Sequence, residues 1–153
     1  MKNTKWCVLL LVACPLIAAA ADHKVHIVYM GGNDCPPCRA WRATELPKLE
    51  KTEAFKRAQF THVEKLIKSS VPPALFLPAE VRPYKDQLDE ASNGMIGSPQ
   101  TAIFVDGKVY DYYWGTRTAP EVERMLNSIY DGKPYPFERC VKRESQSKCA
   151  KKA

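Results

Sequence analysis

The sequence predicts an α/β domain in which a central mixed β-sheet is covered by helices on both faces. Three observations carry this reading. The apolar run "KVHIVYM", residues 24–30, is rich in Val, Ile and Tyr and stops at Gly31-Gly32, as a buried strand does. "TAIFV", then Asp106-Gly107, then "KVYDYYW" is a strong hairpin signal, since an Asp-Gly pair supplies the positive φ that a two-residue turn needs. Thr118-Ala119-Pro120-Glu121 is a capping box, and Val122, Met125, Leu126 and Ile129 follow it at i, i+3, i+4 and i+7, which is one apolar helix face. Strand, helix, strand, helix, hairpin, helix is an order that packs into three layers.

Residues 1–21 read as a signal peptide. Lys2 and Lys5 precede "CVLLLVACPLIAAAA", which carries no charge up to Asp22, and Ala19-Ala20-Ala21 offers the small residues of a cleavage site. The run is shorter than the ~20 residues of a membrane span. Leu11-Val12-Ala13-Cys14 also has the form of a bacterial lipobox, which would make Cys14 a lipidated N-terminus. Pro15 and the Ala-rich site downstream favour cleavage after Ala21. The remainder, residues 22–153, suits one domain of ordinary size. We place that domain at 22–135 and a basic tail at 136–153. Loss of Lys2 and Lys5 takes the net charge from +6 to +4. Much of what is left sits in "VKRESQSKCAKKA", a run that reads as a solvated terminus. Nucleic acid is not an expected partner for an exported chain.

The elements follow in order. After the first strand, Asn33 or Asp34 is placed to cap a helix that starts at the cysteines. Pro36 and Pro37 suit a first helical turn, where a missing N–H costs little. Helical residues run on through "CRAWRATELPKLEKTEAFKRAQ", with Pro47 breaking them into two pieces. A second strand is expected from Gln59 to about Leu66. Prolines interrupt the stretch 69–94, where Tyr84–Ala91 reads as a helix closed by Asn93-Gly94. The hairpin and the capped helix come next, the latter ending near Asp131-Gly132. Tyr110, Tyr112, Tyr113 and Trp114 alternate along a strand and read as core and cross-strand packing; Trp41 reads as core.

The chemistry lies in Cys35-Pro36-Pro37-Cys38. The start of a helix offers unpaired N–H groups and partial positive charge, so a Cys35 thiolate there is stabilised and its pKa is expected to fall. Cys38, three residues on, lies on the same face and within reach of a disulfide. One turn thus supplies a nucleophile, Cys35, and a resolving thiol, Cys38. The two prolines stiffen the loop and are expected to leave the attacking sulfur on a ridge. A structural staple, a zinc half-site and a copper-carrying pair are the alternatives. Zinc needs two further ligands, and His23, His26 and His62 are scattered, so no metal site is assigned.

With those residues in view, the chain resembles the thioredoxin-like family. The resemblance rests on "KVHIVYM", "CPPC" at a helix start, "GSPQTAIFVDGK" and the last helix. It implies a thioredoxin-like three-layer sandwich and a protein thiol–disulfide oxidoreductase needing no cofactor. It implies that Pro99 is cis and that Ser98 offers its backbone to an incoming substrate chain; Pro36, Pro37, Ser98 and Pro99 would form the substrate site. Two departures matter. The buried acid that thioredoxin carries six positions before its first cysteine is Tyr29 here, and the usual tryptophan before that cysteine is Asp34, whose charge opposes a neighbouring thiolate. Family potentials span about −270 to about −120 mV; two prolines and no histidine between the cysteines lean toward the reducing half.

Cys140 and Cys149 are expected to form a local structural disulfide, restricting the tail by on the order of 2–3 kcal/mol. The reading is therefore a monomeric periplasmic oxidoreductase whose partners are proteins with thiols or disulfides and a membrane redox protein that recharges the dithiol. A metal-delivery module using the same thiolates, or a non-catalytic thioredoxin-like binding domain, are the competing readings.

Overall fold

The computed structural model describes residues 22–141. The expected signal peptide, with Cys14, and the expected disulfide partner Cys149 lie outside the described residues.

Four strands form the sheet: β1 Val25–Met30, β2 Gln59–Val63, β3 Gln100–Val105 and β4 Lys108–Trp114. Their order is β2-β1-β3-β4. β1 runs parallel to β2 and antiparallel to β3, which is antiparallel to β4. β1 is buried along its whole length, as a central strand covered on both faces must be, and this explains why its sequence is apolar without alternation. Its odd-numbered residues Val25, Ile27 and Tyr29 face one apolar cluster, and Val28 and Met30 face another.

The first cluster packs against α1 Pro36–Thr44, α2 Leu46–Leu49, α3 Glu53–Lys56 and α5 Ala119–Tyr130. The second packs against α4 Lys85–Ser92 and the segment before it, through Val71, Leu77, Val81, Leu88 and Ala91. Helices therefore cover both faces, and the chain has the thioredoxin-like α/β architecture that the sequence implies.

The turn chemistry acts as read. Asp106 and Gly107 both take positive φ, 51° and 79°, the conformation a two-residue hairpin needs. The Asp106 carboxylate also accepts from the backbone N–H of Lys24 at 3.0 Å and pairs with His23 at 2.7 Å, tying the start of the domain to the turn. Asn93 caps α4 in the left-handed region, and the Thr118–Glu121 capping box opens α5.

Three local expectations are corrected. The helical stretch after the cysteines is in three pieces, and its first break falls at Glu45, before Pro47 rather than at it. Pro47 has no N–H to continue the α1 ladder, so it serves in the first turn of α2; a second break follows at Thr52, whose hydroxyl caps α3. β2 ends at Val63 instead of Leu66, because the chain there leaves the ladder: Ile67 donates its N–H to Asp34 and Lys65 turns inward. Neither Asn33 nor Asp34 caps α1; Cys35 itself does.

Packing continues past residue 135. Tyr135 and Phe137 lie against the first cluster and Cys140 is buried. This strap is held by Asp111 of β4, which is fully buried at 0 % exposure. The Asp111 carboxylate accepts from the Tyr135 hydroxyl at 2.8 Å and from the Cys140 N–H at 3.0 Å. Arg117 stacks its guanidinium between the rings of Phe137 and Tyr113, 3.9 and 4.6 Å from their centroids.

Candidate active site

β1 delivers its C-terminal end directly to Gly31 and Gly32, and the cysteines follow at the start of α1. The two glycines are there for want of space. A Cβ on Gly31 would stand 2.8 Å from Cys38 Sγ, and one on Gly32 would collide with the carbonyl oxygen of Lys65. The strand end thus packs against the Cys38 side chain at Gly31 and against the backbone of the segment after β2 at Gly32.

Cys35 and Cys38 are joined in a disulfide, with Cα atoms 5.2 Å apart. Cys35 Sγ accepts the Cys38 backbone N–H at 3.3 Å. The positive end of α1 is therefore aimed at the first sulfur, the arrangement that stabilises a thiolate when the bond opens. Both cysteines are buried at 0 % exposure, whereas Pro36 and Pro37 are exposed. The expected ridge is made by the prolines and not by the sulfur. Two rings that hug the turn from outside leave the sulfurs beneath them, in the same apolar cluster as Tyr29 and Trp41.

Ser98–Pro99 is a cis peptide. Gly97, Ser98 and Pro99 line a groove of about 470 Å³ together with Pro37 on one side and Trp114, Gly115 and Thr116 on the other. Of the residues read from the sequence, Pro37, Ser98 and Pro99 meet at this groove; Pro36 is not among its lining residues. The sequence reading assigned Trp114 to strand packing, and it does tilt against Tyr112 at 5.0 Å, but it also forms a wall of the groove.

Under the pair, Tyr29 fills the place of the missing acid. Its ring stacks on Trp41 at 4.6 Å between centroids, and its hydroxyl donates to the Cys38 carbonyl at 3.5 Å. Burial pushes the Tyr29 pKa up to about 12, against a smaller opposite effect of Arg42. It stays protonated at neutral pH and holds the turn from below without supplying a base. Trp41 is core, as expected, and its indole N–H donates to the Arg117 carbonyl at 2.6 Å. Around the outside, His62 donates to the Gly31 carbonyl at 2.7 Å and Arg42 donates to Asn33 at 2.6 Å. His26 is buried against Thr61 and His23 pairs with Asp106. Among the described residues no three His, Cys, Asp or Glu side chains gather as a metal site.

Sequence reading missed Lys65. Its side chain is buried, at 4 % exposure for the residue, and its ammonium donates to Ser69 O at 2.7 Å, Gly97 O at 2.6 Å and Ser98 Oγ at 3.1 Å. The signal was present: Thr61, Val63 and Lys65 alternate inward at the period of a strand. Burial pulls the Lys65 pKa down from 10.5 to about 8, more than the Asp34 charge raises it. Below pH 8 the folded and unfolded chains both hold this proton, and the folded one bears the cost of burying it. Between about 8 and 10.5 the unfolded chain binds more proton, so the fold gains stability as pH rises through that window. In urea unfolding from pH 7.5 to 10, the wild type is expected to gain on Lys65→Met; parallel curves would show that the buried charge costs nothing.

The strand order, the disulfide-capable pair opening α1 and a cis proline that shares a groove with Pro37 together define a thioredoxin-like fold with a redox-capable cysteine pair. No protein-family model matches the chain, and no curated protein matches it. Among solved structures, a mutant thioredoxin from Halobacterium salinarum is similar: 17% identical, covering 74% of this chain and 80% of that one, with a TM-score of 0.47.

Proposed function

We propose that this protein is an exported thiol–disulfide oxidoreductase acting on protein substrates, used chiefly as a reductase. The observation that carries the proposal is the position of the pair: Cys35 caps α1 and takes the Cys38 N–H on its sulfur, and Pro37, between the two cysteines, lines the groove of Gly97, Ser98 and Pro99.

In the reducing direction the Cys35 thiolate attacks one sulfur of a substrate disulfide. A Cys35–substrate mixed disulfide forms, and the other substrate sulfur leaves as a thiolate that takes a proton from water. Cys38, deprotonated, then attacks Cys35 Sγ. The Cys35–Cys38 bond forms and the second substrate sulfur leaves as a thiol. Two electrons have moved from the dithiol to the substrate. A membrane dithiol donor of the periplasm restores the reduced pair by the same exchange in reverse. Substrate main chain would lie along Ser98 as a short added strand, with Pro36 and Pro37 against its side chains.

Insulin reduction by the pre-reduced protein tests this reading. Turbidity from the released chains is expected well ahead of a dithiothreitol-only control. No acceleration, with stoichiometric binding of zinc or copper(I) by the reduced protein instead, would favour the metal-delivery reading. Neither activity would favour a non-catalytic binding domain.

A further inference from the structure

A buried ammonium whose three partners are all uncharged is an expensive way to fill a gap. An apolar side chain of similar length would carry no such desolvation cost. The partners themselves suggest what the ammonium does. Two of them belong to Gly97 and Ser98, the residues that lead into Pro99 and line the groove. Gly97 has a φ of 126° and nothing packs within 4 Å of where its Cβ would be. This backbone has little of its own to fix it. The Gly97 carbonyl is instead caught by two donors, Lys65 Nζ at 2.6 Å and Gln100 Nε2 at 2.8 Å. Gln100 is in turn held by the Tyr112 hydroxyl at 2.5 Å. On its other side the Lys65 carbonyl is pressed against Gly32, three residues before Cys35. Lys65 therefore links the strand end just before the cysteine turn to the Gly97–Ser98 part of the groove.

We propose that Lys65 is a positioning residue for polypeptide substrates, fixing the Gly97–Ser98 backbone in the shape that receives an extended chain beside the Cys35–Cys38 pair. The inference rests on the oxidoreductase reading and deepens it. A small disulfide needs only the sulfurs and is indifferent to this rim. A protein disulfide needs the rim as well, because its main chain must be held for the sulfurs to align. Loss of the ammonium should therefore raise KM for a protein substrate and leave kcat and small-molecule exchange nearly alone.

The test compares wild type with Lys65→Met on two disulfides, insulin and the small aromatic disulfide dithiobis(nitrobenzoic acid), with thermal melts of each protein alongside. The expected result is a KM for insulin raised about five- to tenfold, the scale of one or two lost hydrogen bonds. kcat should stay within about twofold, and the rate with the small disulfide should not change. Equal losses on both substrates, or no loss on insulin, would overturn the proposal. Lys65→Gln serves as a second variant with the same expectation, and a failure of both to fold would overturn it by making Lys65 a scaffold residue. If the wild type exchanges with neither disulfide, it is the oxidoreductase reading that fails, and Lys65 is not at issue.

Discussion

Cys35→Ala abolishes disulfide exchange, whereas Cys38→Ala leaves a protein that attacks once and stays joined to its substrate. The asymmetry follows from the two positions. Cys35 caps α1 and is the sulfur on which the Cys38 N–H converges, so it is the thiolate that the helix start stabilises. Cys38 lies inside the first turn, its backbone carbonyl tied to Tyr29 and its sulfur bonded to that of Cys35. Removing Cys38 takes away the intramolecular attack that releases the product, and the mixed disulfide accumulates. Non-reducing gels and intact mass read both outcomes directly. Activity surviving in Cys35→Ala, or trapping by Cys35→Ala rather than by Cys38→Ala, would reverse the assignment.

Asp111→Ala is expected to cost about 2–4 kcal/mol and to loosen the strap after α5. The Asp111 carboxylate accepts three hydrogen bonds, from the Tyr112 N–H, the Tyr135 hydroxyl and the Cys140 N–H. Burial raises its pKa, against the lowering effects of those donors and of Arg117. Its burial is thus a cost that the network offsets. Removing the acceptor takes that partner from the buried Cys140 N–H and from the hydroxyl of half-buried Tyr135, and a buried donor that loses an acceptor costs more than the bond was worth. For a domain of this size the change corresponds to a fall in Tm of roughly 5–15 °C. Asp111→Asn keeps one oxygen as acceptor and should lose less. Chemical denaturation measures the difference, and protease digestion followed by mass shows whether residues 134–141 become cleavable first. A variant within about 0.5 kcal/mol of wild type would mean that the strap is held by the Arg117–Phe137 stacking instead.

The parts of this fold that could be read from the sequence are those set by local pattern. β1 is legible because a strand buried on both faces is apolar along nearly its whole length, His26 being the exception. The hairpin is legible because Asp106-Gly107 names its own turn, and α5 because its cap and its apolar face lie within a dozen residues. The cysteine pair and Pro99 are legible because their chemistry depends on spacing and on the strand-to-helix setting. What escaped depends on partners far away in the chain. Lys65 has the composition of a surface residue, and only its contacts with Gly97 and Ser98, more than thirty positions on, make it part of the site. Asp111 likewise sits in an aromatic strand whose burial is completed by Tyr135 and Cys140. The burial of the sulfurs was misjudged for a geometric reason: local rules place Pro36 and Pro37 in the first turn, but not on which side of the sulfurs their rings fall.

The measurement that tests the central claim most directly is the equilibrium of the Cys35–Cys38 pair with a glutathione buffer. Thiols are quenched by alkylation, and the peptide that carries both cysteines is followed by mass so that the tail cysteines do not interfere. The expected result is one reversible two-electron transition with a potential below about −200 mV, the range of a reductase that depends on an electron donor. A reversible transition well above that value would keep the redox site and reverse the proposed direction of electron flow. A pair that never exchanges with glutathione would contradict the account itself, and would make Cys35–Cys38 a structural disulfide.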